Sequence, residues 1–530
     1  MAIEWCENDD PRIQTLRKGS NVRWPVVGQE ASAIAICQEP DDVLTSLNET
    51  LNVRRVRPTI RSGGHCYEGF VSNNAGGVII DVSQLNSVGH DPAAPELRYR
   101  IGAGVQNWDG YVSMYKRWNR TLPGGSCYSV GVGGHISGGG FGYMSRLHGL
   151  TVDWLSGVGI VHLSPGGETV ANYSTATATA YPALFKALRG AGNGNFGIIT
   201  DYYFDELPIP PREAAITVMY FNWSDFDEAR FGRLLNTFAD YWDGRGRDEE
   251  TFGIFGVAKL SHAANGQFFI RIQCCSVEPN GGIGAAEIAL IQEFIDLFAE
   301  FQPRGRQEAS YFVDESSVPW GAHGRSSTHA GQALPPFTVL YDWLYAVQQL
   351  NGASPNQRGK YKSSYMKQRF TDYEISRLYY WLHYTPPSGI NLAASLVQVD
   401  SYGGNINKPG TAAQTSVPQR SSIMKLQYQA YWTDPALDAE YEGWINPFYA
   451  DVYSDPAIVP AQYAGTPYPS AHYEGCYIGY PDAVMAELRD AAGQPFWQDL
   501  YYPGIYTELQ QVKQTYDPGN VFNYALSVRP

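Results

Sequence analysis

The chain is short of positive charge. Its 38 Lys and Arg stand against 53 Asp and Glu, a formal net charge of −15. No extended basic block occurs, which argues against nucleic acid and anionic membranes as partners. No uninterrupted run reaches the roughly 20 apolar residues that a membrane-spanning helix needs. The opening residues, MAIEWCENDDPR, lack a basic start followed by an apolar stretch. No signal peptide is therefore expected, and the simplest location is the cytoplasm of a bacterium. Cysteine is sparse: seven residues, an odd number, with no CxxC pair, which suggests neither a disulfide scaffold nor a zinc knuckle. Two nucleotide-binding signatures are also missing. No Lys completes a GxxxxGK[ST] loop, and after Gly131 and Gly133 the position of the third Gly in GxGxxG is held by Ile136.

What the chain has in quantity is glycine and tyrosine, 55 and 37 residues. Gly124 to Gly142 reads GGSCYSVGVGGHISGGGFG, nine glycines in nineteen residues around one Cys and one His. The run lies between apolar segments and lacks the Pro, Ser and charge bias of a linker. Backbone of this kind can approach something flat or anionic very closely. Around it, short apolar strands alternate with helical stretches as far as residue 210. Arg57–Ile60 and Leu97–Val105 read as strands, Gly76–Val88 as a buried strand followed by a turn, VDWLSGVGIVHLSPGGETV as a strand pair about Pro165-Gly166-Gly167, and YPALFKALRG as a helix ending at Gly190. LPIPPRE marks a junction. Long strands follow (AITVMYFNW, GIFGVAKL, FFIRIQCCSV, LAASLVQVDSYGG, IMKLQYQAYW), with helices such as DFDEARFGRLLNTFADYW between some of them. The fold class is α+β, an antiparallel sheet covered by helices following a first domain. Leu396, Gln398, Asp400 and Tyr402 share one strand face, and Lys425, Gln427, Gln429 and Tyr431 share another. Those faces could line a wet cavity or simply meet solvent. The tail reads as a helix, a turn at Asp517-Pro518-Gly519 and a last strand-like piece.

Four segments, RSGGHCYEGF, the glycine run, GAGNGNFGIIT and VKQTYDPGNVF, resemble in order and spacing the berberine-bridge-enzyme-like FAD-linked oxidases, which have the vanillyl-alcohol-oxidase (PCMH-type) flavin-binding fold. The resemblance spans essentially the whole chain. It implies an FAD domain of residues 1–210 completed by 497–530 and a substrate domain of 211–496. It also implies FAD held by two covalent bonds, from His65 to the 8α-methyl carbon and from Cys127 to C6 of the ring. Further cofactor contacts carried by the resemblance are Arg61, Ser62, Gly63 and Gly64 in the first segment. Gly125, Gly133, Gly134, His135, Gly138 and Gly142 follow in the second. Asn195, Phe196, Gly197 and Ile199 come from the third segment, and Asn520 from the last. Against these stand plainer readings: a packed, hydrogen-bonded His65, a buried free thiol at Cys127, or a zinc site from His65, Cys66, Cys127 and His135, whose spacing suits zinc poorly.

The resemblance implies an oxidase that takes a hydride from a small-molecule substrate and passes the electrons to O₂, giving H₂O₂. Family members place the base in a late Y-x-N-Y-x-D motif, here Tyr477-Ile478-Gly479-Tyr480-Pro481-Asp482, with Gly479 in place of Asn. Tyr477 is therefore the candidate base and Tyr402, in VDSYGG, a candidate assistant. Asp400 is the carboxylate available for the alternative, an oxidative cyclisation of the berberine-bridge type. The expected reaction is conversion of an alcohol of a bulky natural product to a carbonyl. A carbohydrate (lactol) oxidase and a non-catalytic flavoprotein are the alternatives. No metal is expected, and oligomeric state is left open.

Overall fold

The computed structural model describes residues 3–164, 168–305, 325–326, 328–329, 332–350, 352, 356–408 and 410–530. The turn expected at Pro165-Gly166-Gly167 lies outside the described residues.

The chain builds its first sheet from β1 (Glu4–Cys6), β2 (Ala33–Ile36), β3 (Pro58–Arg61) and β4 (Val78–Asp81), in the order β1-β2-β4-β3. The two parallel pairings explain the sequence. β4 runs parallel to both β2 and β3, and its VIID is buried throughout, as a strand covered on both faces must be. β3 ends at Arg61 and releases the chain into Ser62-Gly63-Gly64-His65. A second sheet, ordered β5-β6-β9-β7-β8, comprises β5 (Val88–His90), β6 (Tyr99–Gly102), β7 (Leu155–Ser164), β8 (Glu168–Thr177) and β9 (Ile198–Phe204).

After Pro210 and Pro211 the chain enters a larger antiparallel sheet, ordered β13-β16-β10-β12-β11-β18-β19-β17. Its members are β10 (Glu213–Asn222), β11 (Ile254–Ser261), β12 (Gln267–Cys274), β13 (Arg325–Ser326), β16 (Thr338–Asp342), β17 (Arg358–Met366), β18 (Leu396–Ser401) and β19 (Met424–Trp432). A short ladder, β14 (Thr328–His329) with β15 (Gln332–Ala333), lies between β13 and β16 in sequence. Helices Glu228–Asp243, Asp372–His383 and Asp438–Val452 accompany this sheet. The first buries Phe231, Leu234, Leu235, Phe238 and Trp242 at helical spacing and is capped by Asp227, whose side chain accepts from the Arg230 N–H. The second carries a Thr371/Glu374 capping box. β17, a Lys- and Ser-rich strand (RGKYKSSYM), was absent from the sequence reading. It stays extended because its Lys side chains have buried acidic partners rather than solvent.

The C-terminal helix Tyr506–Tyr516 returns to the first part of the chain. The buried Lys513 Nζ donates to the carbonyls of Asn195 and Phe522 and pairs with Asp517 at 2.6 Å. The strand-like piece expected after Asp517-Pro518-Gly519 forms no strand. Residues 520–530 are irregular, held by side chains such as Asn195, whose Oδ1 accepts from the Val528 N–H at 3.0 Å.

Candidate active site

A cavity of about 410 Å³ opens between the two small sheets and the large one. The strand faces singled out from alternation do line it, through Gln398 and Asp400 on β18 and Gln427, Gln429 and Tyr431 on β19. Register explains their company. Asp400 pairs with Lys425 and with Val257, and Gln398 pairs with Gln427 and with Lys259.

The opposite wall is backbone-rich. Arg61, Ser62, Gly63, Gly64 and His65 line it, as do Gly125, Cys127, Gly133, Gly134, His135 and Gly142, with Gly197 and Ile199. Two loops there pack main chain to main chain. A Cβ on Gly63 would sit 2.3 Å from the Gly131 nitrogen, and one on Gly131 the same distance from Ser62 Oγ. Arg61 is spent on structure: its guanidinium is paired with Asp81, so it fixes the loop leading to His65. The His65 Nε2 lies 3.0 Å from Ser129 Oγ, and burial lowers its pKa, which keeps a ring nitrogen unprotonated. Burial raises the Cys127 thiol, opposed by the nearby Lys259 charge and the Gly352 N–H. His135, pushed down to about 4 by burial, accepts the Gly125 N–H at 2.8 Å and so holds the loop that carries Cys127.

Five expected contacts do not line the cavity. Tyr402 stands a layer behind: its hydroxyl donates to the Gln419 carbonyl at 2.9 Å, and its ring meets Phe141 and Tyr365. Asn195 is taken up by the Ala191 carbonyl and the Val528 N–H, and Phe196 is fully buried in the core. Gly138 caps the helix Val132–Ser137. Asn520 shapes the last turn at φ +51, and Phe522, Asn523 and Tyr524 reach the cavity in its place.

Tyr477 is buried and lines the cavity. Its amide donates to Ser363 Oγ at 3.0 Å, which ties it to β17, and the Gly140 N–H stabilises its phenol oxygen against a burial that raises its pKa. Gly479 explains the departure from Y-x-N-Y-x-D. A Cβ there would lie 2.5 Å from Tyr477 Cζ, so the ring fills the space a side chain would need. Between the motif's tyrosines and β18 sits Lys425, fully buried, its Nζ 4.8 Å from the Tyr477 ring centroid and 4.3 Å from that of Tyr480. The same ammonium is 3.3 Å from Tyr480 Oη and 3.7 Å from Asp400 Oδ2. Burial pushes Lys425 down to about 7, with Asp400 opposing. Alternation put Lys425 on one face with Gln427 and Gln429, but not its partner Tyr480, which comes from a loop 55 residues away in sequence.

Asp482 closes the motif as an anchor. It takes Lys360 at 2.7 Å and also Lys362, while Lys360 pairs with Glu68, all four side chains being buried. This network joins the Tyr477–Asp482 loop, β17 and the segment that follows His65. The sequence reading also passed over Tyr67, stacked on Tyr361 at 3.7 Å and receiving the Gln427 amide at 3.0 Å. The lone cations inside the apolar strands GIFGVAKL and FFIRIQCCSV, Lys259 and Arg271, were a readable signal that went unused.

The residues present fit FAD. His65 and Cys127 share one cavity wall. A Cβ on the lining Gly134 would meet nothing within 4 Å, leaving room for a ligand against the backbone. Fold and cavity together define an FAD-dependent oxidoreductase. A model of an FAD binding domain matches residues 31–171, and one described as "Berberine and berberine like" matches 476–529. The chain is 32% identical to hexose oxidase of Chondrus crispus, over 98% of this chain and 94% of that one. It is 31% identical to an aclacinomycin oxidase of Streptomyces galilaeus, over 100% and 90%. Two solved structures, glycopeptide hexose oxidase with teicoplanin and aclacinomycin oxidoreductase, each superpose with TM-score 0.83 at 30% identity, covering 100% of this chain and 99% and 100% of theirs. The chain belongs to the berberine-bridge-enzyme-like family of FAD-linked oxidoreductases.

Proposed function

We propose that this protein oxidises an alcohol of a bulky natural product or glycoside to a carbonyl, with Tyr477 taking the hydroxyl proton and O₂ as the electron acceptor. The relatives named for sugars and antibiotics, hexose oxidase and aclacinomycin oxidase, support that substrate range. Bound FAD supplies the hydride acceptor and the route for electrons to oxygen. In this reading residues 1–210 with 497–530 bind the cofactor and 211–496 the substrate. His65 and Cys127 are its two covalent anchors, one a neutral imidazole nitrogen and the other a thiol beside the Lys259 charge.

The observation that carries the proposal is the buried ammonium of Lys425 over the Tyr477 and Tyr480 rings. A phenol has a pKa of about 10 and is a poor base near neutrality. An adjacent cation favours its ionised form. Lys425 can thus hold the proton that makes a tyrosinate useful, and the Gly140 N–H adds a donor to Tyr477. Asp400 is tied to Gln398, whose Nε2 donates at 2.7 Å, and to Lys425, so it orients the ammonium rather than the substrate. Tyr402 is replaced in its assisting role, because its hydroxyl is committed to Gln419.

A second reading makes Tyr480 the base, favoured by its 3.3 Å contact with Lys425. Tyr477→Phe and Tyr480→Phe separate the two, measured as anaerobic bleaching of bound flavin by substrate. General-base removal slows that step by about 10² to 10⁴. Tyr477→Phe should show the full loss and Tyr480→Phe a smaller one. The reverse order assigns the proton to Tyr480, and wild-type rates in both would remove tyrosine from the chemistry.

A further inference from the structure

The cavity's charge does not balance. On the cavity face of the large sheet, three cations, Lys259, Arg271 and Lys425, accompany one carboxylate, Asp400. Asp400 is engaged by Lys425 and Gln398. Lys259 and Arg271 occupy the same face two register positions apart, since Arg271 pairs with Val257 on β11. Among the described residues neither has a carboxylate within 4 Å, and the buried Arg271 Nε has no hydrogen-bond partner. Arg271 is held rather than free. It donates to the Tyr143 hydroxyl and lies 5.4 Å from that ring's centroid, while Tyr143 in turn packs on Phe255. Such an arrangement in a chain with an acidic excess of 15 is costly, because half-buried like charges repel and have only the shared Asp400 to oppose them. Burial and the neighbouring Arg271 push Lys259 down to about 8, which records that cost.

We infer that Lys259 and Arg271 form a subsite for a carboxylate carried by the substrate, so that the alcohol oxidised belongs to an acidic compound such as a uronic acid glycoside. This rests on the oxidase reading above for the site as a whole. A guanidinium presents donors in a fork that matches a carboxylate, and an ammonium beside it adds a second charge. The anion would bridge β11 and β12, at a remove from Lys425 and the motif tyrosines across the sheet, so binding and proton transfer use different cations.

The test is isothermal titration calorimetry of the holoenzyme at fixed ionic strength, with phenyl β-D-glucuronide and phenyl β-D-glucoside, which differ in the carboxylate. Wild type should bind the glucuronide at least tenfold more tightly. K259Q and R271Q should each reduce that preference to about threefold or less, with glucoside affinity unchanged, and K259R should retain most of it. The flavin midpoint potential of K259Q is measured alongside, because Lys259 also acts on Cys127. Equal affinities in wild type, undetectable glucuronide binding, or a preference that persists in both Gln variants overturns the inference. So does a K259Q that shifts the flavin potential while leaving the preference intact, since the cation would then serve the cofactor. Because the readout is binding, failure here leaves the oxidase reading standing. Conversely, a protein that prefers the glucuronide but is bleached by no alcohol keeps the subsite and loses the oxidase.

Discussion

Replacing Lys425 by Met keeps the length of the side chain over Phe141 and removes its charge. The ammonium lies 4.8 Å from the centroid of the Tyr477 ring. At an effective dielectric of about 20, a tyrosinate charge at that separation gains about 3.5 kcal/mol from the cation. That corresponds to a difference of about 2.5 in pKa. Wild type should therefore have its Lys–Tyr unit lose one proton near the value of about 7 to which burial brings Lys425. The rate should rise with pH through that point and then level. In Lys425→Met the phenols stand alone, and burial keeps both above their usual value. At pH 7.5 flavin reduction should fall by about a hundredfold or more, and the log of the rate should climb with pH beyond 9. The assay is anaerobic stopped-flow bleaching across pH, with the flavin spectrum and thermal melting checked first. Asp400 loses its partner in this variant, so Lys425→Met/Asp400→Asn serves as the control for buried charge. A single variant within tenfold of wild type, with an unchanged pH profile, would refute the reasoning.

Asp482→Asn removes one of two carboxylates from a buried set containing two lysines. Breaking such a pairing costs about 3–5 kcal/mol, to be read as a lower urea midpoint at unchanged slope. Gly134→Leu projects into open space and replaces a glycine within a helix, worth about 1 kcal/mol in favour of folding. The apoprotein should melt no lower than wild type, while FAD affinity falls at least tenfold by fluorescence titration. His65→Ala and Cys127→Ala should each leave FAD attached by one bond in acid-denatured protein, by peptide mass, and the double variant should release it.

The legible parts were those where a residue's chemistry and its sequence neighbours agree. RSGGH and the glycine run pointed to close backbone approach, the late motif singled out Tyr477, and alternation in β18 and β19 put Gln398, Asp400 and Gln427 on faces that the fold turns to the cavity rather than to solvent. Illegible were features set by pairing across long distances. β17 went unread, because Lys360 and Lys362 suit a buried strand only through their partners at Glu68 and Asp482, far away in sequence. Tyr402 carried a family-like motif, yet its hydroxyl reaches a carbonyl from the chain that follows β18, a contact no local pattern records. Asn195 and Asn520 sit in recognisable segments but serve main-chain turns and the returning tail rather than the cavity wall. Conversely, Lys259 and Arg271 were visible as single charges interrupting apolar strands, and only the sheet register brings them together.

The central claim, an alcohol oxidase built on a flavin cavity with a lysine-supported tyrosine, is tested most directly by product stoichiometry. Purified holoenzyme is screened against sugars, uronic acid glycosides and glycosylated aglycones under anaerobic conditions, and any compound that bleaches the flavin is then turned over in air. The account predicts that a hit yields one carbonyl and one H₂O₂ for each O₂ consumed, and that Tyr477→Phe bleaches at least a hundredfold more slowly. Flavin that no alcohol bleaches, or a product in which a new carbon–carbon bond forms without a carbonyl, would contradict it.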